Sequence, residues 1–224
     1  NNTGLFQVSA ANATGVWSGY PGQFLNSGTL TVTGTTSAVG IAMGYFEGGS
    51  VTNSGTITVT ASSGTAYGIT VGGLDEVLNI TNTGTITAQH AIYEANSSSP
   101  AQTPVLHLAN SGAINGDIVL GQGPGIWTGG PGQSAGAQIH NTGEINGAIH
   151  LDANGNDLYD GRGRTQTGGI YLGGGTDTVY LGDDGEIVHA GSGSAVVTGG
   201  AGGDAYVFDP SVASNLEITN LSPA

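Results

Sequence analysis

The sequence predicts an all-β protein, a right-handed parallel β-helix (a solenoid) of seven or eight coils. Three observations predict this fold. A motif returns about every 28 residues, short stretches alternate between polar and apolar residues, and no apolar stripe keeps a 3.6-residue period. A unit of that length holding two or three short strands fits one coil, and successive coils stack about 4.8 Å apart.

The returning motif is an asparagine, a serine or threonine, a glycine and, after one further residue, an isoleucine or leucine. Successive asparagines lie 27, 29, 28 and 31 positions apart, and they are Asn26, Asn53, Asn82, Asn110 and Asn141. Asparagine and glycine tolerate positive φ, so each motif is predicted to form a tight corner. Stacked asparagine side chains can hydrogen-bond from coil to coil, so we expect a ladder of these five residues.

The strand pattern fills the space between the corners. Residues 29–33 alternate threonine with leucine or valine, as a half-buried strand does. A second aliphatic series runs out of phase with the corners, with Val16 a candidate to precede it and Val196 to continue it; its members are Ile41, Ile69, Ile92, Ile118, Ile149 and Ile170.

Composition narrows the functional classes. The 224 residues include 43 glycines and no cysteine, which removes disulfides and thiolate zinc sites. The only basic residues, Arg162 and Arg164, stand against 16 acidic residues, giving a net charge of −14. Nucleic-acid binding needs a basic surface, so we expect no nucleic-acid partner.

We expect residues 1–224 to form one β-helix domain, with Asn-[Ser/Thr]-Gly coils over 12–150 and Gly/Asp-rich coils over 151–208. Residues 199–207 match a calcium-binding nonapeptide, and residues around Asp177 resemble it. These two copies lie 27 positions apart, which we interpret as one coil each. The acidic residues are either calcium ligands or plain corner residues; the calcium candidates are Asp152, Asp157, Asp177, Asp183, Asp184 and Asp204.

Two tryptophan-containing segments resemble each other at a distance of 110 residues. Their aromatic residues are Trp17, Tyr20 and Trp127. They are predicted either to form exposed loops that bind glycans or to cover their own coils.

Residues 51–58, followed by Ala66-Tyr67-Gly68-Ile69, resemble the passenger repeats of bacterial autotransporters (type V secretion), which belong to the pectin-lyase-like β-helix superfamily. The resemblance covers about residues 12–208. It implies export and an extracellular or bacterial cell-surface location. We expect contact with the outer membrane only through the family's translocating barrel, which these 224 residues do not include.

The expected function is therefore a non-enzymatic scaffold for adhesion, self-association or surface-layer and filament structure. Its expected partners are copies of itself, end to end or laterally, or cell-surface and matrix glycans. We assign no catalytic residue and expect no cofactor other than structural calcium. The alternative is a carbohydrate-active enzyme that uses acidic residues of the C-terminal third. The residues that could form its paired carboxylates are Asp152, Asp157, Asp160, Asp183 and Asp184, and replacement of Asp157 and Asp177 by asparagine tests it.

Overall fold

The computed structural model describes residues 1–19, 22–44, 49–72, 77–94, 105–121, 136–152 and 155–220. These residues form a parallel β-solenoid, which confirms the predicted fold class. The described part of the chain contains twenty strands and no helix. It therefore also has no helix of the length and apolarity that crossing a membrane requires.

The strands, in chain order, are β1 (Leu5–Ser18), β2 (Gln23–Asn26), β3 (Thr29–Met43), β4 (Gly49–Asn53), β5 (Thr56–Ala61), β6 (Thr65–Val71), β7 (Val77–Asn82), β8 (Thr85–Glu94), β9 (Val105–Asn110) and β10 (Ala113–Val119). They continue with β11 (Gln138–Asn141), β12 (Glu144–Asn146), β13 (Ile149–His150), β14 (Leu158–Asp160), β15 (Ile170–Tyr171), β16 (Thr176–Tyr180), β17 (Ile187–His189), β18 (Ser194–Thr198), β19 (Ala205–Val207) and β20 (Asn215–Thr219).

The strands form two sheets. Sheet I has 11 strands in the order β1-β3-β5-β8-β10-β13-β15-β17-β19, with β6 and β12 paired beside this path. Sheet II has nine strands in the order β2-β4-β7-β9-β11-β14-β16-β18-β20. Nine levels therefore stack along the solenoid, slightly more than the seven or eight predicted.

Equivalent residues of successive coils lie directly on one another. Ile57 pairs with Ile86 and Ile86 with Ile114, as the repeat predicts. In the second series, Val16 precedes Ile41 as expected, but Val188 follows Ile170. Val196 was wrongly predicted to continue this series, because the coils shorten and place it on β18 of sheet II.

The inward side chains of both sheets form one apolar core. Ile41, Ile57, Ile86 and Ile118 are completely buried, and Ile80 and Leu108 nearly so. Full burial of one such side chain contributes about 1.5–3 kcal/mol. Stacked aliphatic columns are therefore the main stabilising feature of the solenoid.

The coils shorten toward the C-terminus. Neighbouring corner asparagines lie 27 to 31 positions apart, whereas Tyr171 pairs with His189 and His189 with Val207, 18 positions apart in each case. Two copies of the Gly/Asp motif 27 positions apart are therefore separated by one and a half coils. The prediction of one coil each was wrong, and Asp177 lies in sheet II while Asp204 immediately precedes β19 of sheet I.

Candidate functional site

The five predicted corner asparagines form a continuous buried ladder. The Nδ2 atoms of Asn26, Asn53, Asn82 and Asn110 each donate to Oδ1 of the next asparagine, at 2.7 to 2.8 Å. All five side chains are buried. Each Nδ2 of these four also lies within hydrogen-bond distance of backbone carbonyls in its own and the following coil, as with Gly84 and Ala113 for Asn82.

The ladder has a sixth member that our sequence prediction missed. Asn2 Nδ2 donates to Asn26 Oδ1 at 2.8 Å. Asn2-Thr3-Gly4 carries the motif and lies 24 positions before Asn26, so the signal was present in the sequence. At the other end, the residue that stacks after Asn141 is Gly161 and not a further asparagine. The phenol of Tyr159 lies against Gly161. Burial raises the pKa of this phenol.

The corner glycines have a different role from the one predicted. None of Gly28, Gly55, Gly84, Gly112 and Gly143 has a positive φ. A Cβ on Gly84 would instead lie 2.0 Å from the carbonyl oxygen of Gly55. A Cβ on any of the other four glycines would lie 2.0 to 2.1 Å from a carbonyl oxygen of the preceding coil. Glycine is required because two backbones approach closely at each corner.

Two of the acidic candidates point into the solenoid. Asp157 accepts hydrogen bonds from the backbone N–H groups of Ala137 (2.6 Å) and Asp152 (2.9 Å). Asp177 accepts from the backbone N–H of Asp157 at 3.0 Å. Both carboxyl groups are buried, and burial raises the pKa of each to about 7. They therefore join neighbouring coils through side-chain to backbone hydrogen bonds.

The remaining candidates lie at corners of the short coils. Asp183 accepts from Ala201 N, and Asp184 accepts from the hydroxyl of Thr165. Asp204 accepts from the backbone N–H of Glu186 at 3.1 Å, and its other oxygen lies 3.3 Å from Gly200 N. The Asp152 carboxylate lies against Gly121.

The described residues contain no group of three or more histidine and acidic side chains arranged to hold a metal ion. Structural calcium stays a prediction. A melting curve with calcium and with a chelator separates the two roles of these carboxylates. Coordination raises Tm in calcium, whereas acceptance of backbone N–H groups alone leaves Tm unchanged.

Glu94 is a buried carboxyl group that our sequence prediction passed over. It pairs with Val71, which pairs with Met43, so it follows two buried apolar residues in an inward column. Burial, together with the nearby charges of Asp152 and Asp157, raises the pKa of Glu94 to about 8. A single acidic residue in an apolar column has no periodic signal, because the pattern around it predicts leucine or valine.

The predicted aromatic loops are only partly described. Trp17 lies near the end of β1 and is 69% exposed, with its ring against Gly19. Tyr20 and Trp127 lie outside the described residues. Trp17 is therefore available to solvent, as the glycan hypothesis requires.

The register of sheet I places Trp17 at the start of a column of outward-facing residues, which we call the outward column. Its nine members face one another level by level, and in order they are Trp17, Ala42, Thr70, Tyr93, Val119, His150, Tyr171, His189 and Val207. Each member is at least partly exposed. Five of the nine are aromatic or imidazole rings, and they lie on the first, fourth, sixth, seventh and eighth levels of one face.

Three rings of the outward column form a stack, and a fourth packs against rings beside the column. His150 stacks on Tyr171 with ring centroids 4.4 Å apart, and Tyr171 stacks on His189 at 4.1 Å. Tyr93 packs edge-on against Tyr67, and His90 lies beside both. Burial lowers the pKa of His150, so this imidazole is neutral at neutral pH. In the stack of His150, Tyr171 and His189 the ring faces cover one another, so the exposed parts are ring edges.

Neither the protein-family models, nor the curated proteins, nor the solved structures contain a match to the chain.

Proposed function

We propose that this chain is a non-enzymatic, surface-exposed scaffold that mediates adhesion by binding neutral glycans along the outward column. The observation that carries the proposal is the register of sheet I, which aligns Trp17, Tyr93, His150, Tyr171 and His189 on one face. Trp17 is 69% exposed and offers flat apolar area to a sugar ring. The stacked Tyr171 and its neighbouring histidines offer ring edges whose polar atoms suit sugar hydroxyl groups.

Charge supports a neutral partner. The chain has a net charge of −14, so a polyanionic partner is repelled. Histidine and tyrosine side chains can both donate and accept hydrogen bonds while uncharged. A neutral polysaccharide matches this surface without any counter-charge.

The enzymatic alternative has less support. Asp157 and Asp177, the two residues that its test replaces, are 2% and 1% exposed. Their raised pKa values resemble those of catalytic acids, but burial is the cause and the oxygens accept backbone N–H groups. A substrate would have to displace the corner to reach them. Asp160, another candidate for this alternative, is paired with Arg162 at 2.7 Å.

The resemblance to autotransporter passengers supports a location outside the cell. We include this location in the proposal because adhesion requires it. Protease added to intact source cells should digest the chain. Full protection until the cells are lysed would contradict the surface location.

The binding test uses two tyrosines that face opposite sides of one solenoid. Tyr171 belongs to the outward column, whereas Tyr180 faces outward from sheet II, beneath Arg162. Affinity electrophoresis against neutral glucans, mannans and galactans measures binding. We expect Tyr171→Ala to weaken binding about two- to tenfold, which corresponds to loss of one aromatic contact. Tyr180→Ala should bind as the parent does.

Two outcomes would overturn the proposal. One is a parent protein that none of these polysaccharides retards. The other is equal binding by the parent, Tyr171→Ala and Trp17→Ala. Melting temperatures of all variants establish that each is folded.

A further inference from the structure

An open cleft of about 600 Å³ lies where the asparagine corners give way to the Gly/Asp-rich corners. Three charged side chains line it: Glu144, Arg164 and Asp184. The hydroxyl groups of Ser111, Thr142 and Thr165 complete its polar lining. Sites for small ligands have volumes of about 300–1,000 Å³, so the cleft can hold one or two sugar residues.

The loop of residues 161–165 forms one wall of the cleft and is held by hydrogen bonds within it and to neighbouring coils. Arg164 N donates to Gly161 O at 3.1 Å, and Ile145 N donates to Thr165 O at 3.2 Å. The Thr165 hydroxyl donates to Asp184 Oδ2 at 2.6 Å. The wall is therefore formed before any ligand arrives, which lowers the entropic cost of binding.

Arg164 is the cation of this cleft. The other arginine, Arg162, makes two hydrogen bonds to the Asp160 carboxylate at 2.7 and 2.8 Å and lies over Tyr180. Within the described ranges, no carboxylate oxygen lies within 4.0 Å of the Arg164 guanidinium. Its five N–H donors are thus available to a ligand.

The mixture of donors and acceptors that line the cleft indicates which class of ligand it suits. One guanidinium supplies donors and two carboxylates supply acceptors. The Ser111 hydroxyl can do both, whereas the hydroxyls of Thr142 and Thr165 already donate to Asn110 O and Asp184 Oδ2 and can accept from a ligand. With one positive and two negative side chains, the cleft does not attract an anion, and the chain as a whole is acidic. A ligand rich in neutral hydroxyl groups satisfies donors and acceptors together.

We propose that this cleft binds a neutral saccharide, as a second sugar site beside the outward column. The inference extends the proposed function, since both sites take neutral sugars. The cleft is formed by different residues, however, and is therefore tested with different variants. Arg164 donates to sugar hydroxyl groups, and Glu144 and Asp184 accept from them.

Ligand-observed saturation-transfer NMR on the full chain tests the site, with methyl glycosides of neutral hexoses as probes. We expect Arg164→Ala to weaken binding at least about tenfold, because hydrogen bonds to charged groups are among the stronger ones. Arg162→Ala removes the same charge from the same loop and should retain binding. Glu144→Gln should weaken binding, and Glu217→Gln, which changes an exposed acid on β20, should not.

The outcomes separate this site from the outward column. A Tyr171→Ala variant that binds the methyl glycosides as the parent does, but binds polysaccharide about two- to tenfold more weakly, supports two sites. Undiminished binding by Arg164→Ala overturns the cleft proposal and leaves the outward column unaffected. Absence of transfer to every neutral probe, or a preference for uronic acids, also overturns it. Melting curves establish that the variants are folded.

Discussion

Asn82 illustrates what one buried polar residue does in this solenoid. Its carboxamide accepts from Asn53 and donates to Asn110, so one side chain joins three coils. A buried polar group left without a partner costs about 1–3 kcal/mol. The ladder thus favours one register of stacking over any shifted register.

Replacement of Asn82 tests the ladder. We expect Asn82→Ala to lower the free energy of unfolding by about 1–3 kcal/mol for each buried partner that it leaves unsatisfied. Asn79→Ala in the same strand is the control, because Asn79 is exposed and should change stability by no more than about 0.5 kcal/mol. Urea denaturation measures both. Equal effects of the two variants would contradict the structural role of the ladder.

The buried carboxyl groups make stability depend on pH. The pKa values of Asp157, Asp177 and Glu186 are raised to about 7, and that of Glu94 to about 8, mainly by burial. Between the ordinary values of 3.8 to 4.5 and these native values, the folded chain binds more protons than the unfolded chain. The free energy of unfolding therefore falls as pH rises through this interval. Thermal melts from acidic to mildly alkaline pH should show a steadily decreasing Tm.

Asp177→Asn is the control for this pH dependence. Asparagine keeps the oxygen that accepts from Asp157 N but has no proton to lose. The variant should reduce the slope of Tm against pH. A parent whose Tm rises across the same interval would contradict the assignment.

At the scale of an element, the corner depends on a close approach of backbones. Gly84 meets the Gly55 carbonyl, whereas Gly4, in the same motif position of the first coil, has nothing within 4 Å of its ideal Cβ. A side chain therefore has no room at position 84 but has room at position 4.

We expect Gly84→Ala to destabilise the protein by about 1–3 kcal/mol or more, because the added methyl group forces the two coils apart. Gly4→Ala should be tolerated. Chemical denaturation of both variants measures the difference. A tolerated Gly84→Ala would show that the corner can relax, contrary to the argument from backbone contact.

At the scale of the whole molecule, the coils differ in how much strand they contain. β1 and β3 have 14 and 15 residues, whereas β13 and β15 have two each. In stacked-coil proteins each coil interacts with its neighbours alone, so local stability follows local structure.

Hydrogen–deuterium exchange should therefore show early exchange in the short C-terminal coils. We expect amides of β13, β15 and β17 to exchange before those of β3, β5 and β8. Raising the pH to about 7 should widen the difference, because Asp157, Asp177 and Glu186 lie among the short coils and titrate below Glu94, the buried carboxyl group of β8. Uniform protection along the chain would contradict this prediction.

The sequence predicted those parts of the molecule in which identical residues stack. Asn53 and Asn82, or Ile57 and Ile86, are alike and evenly spaced, so their alignment was visible. The outward column was not visible, because its members share neither type nor size and only the register relates Trp17 to Tyr93. The shortening of the coils was also missed, since Asp177 and Asp204 are alike but one and a half coils apart.

The uneven distribution of acidic residues gives the rod an electrical polarity. Residues 117–224 hold twelve of the sixteen acidic residues, and the side-chain amides from Asn2 to Asn110 all donate in the same direction along the stack. Such a particle aligns in an applied field and turns its more acidic end away from an anionic membrane at low ionic strength. Under the proposed adhesive function, this polarity would orient the chain at a surface before any sugar is contacted.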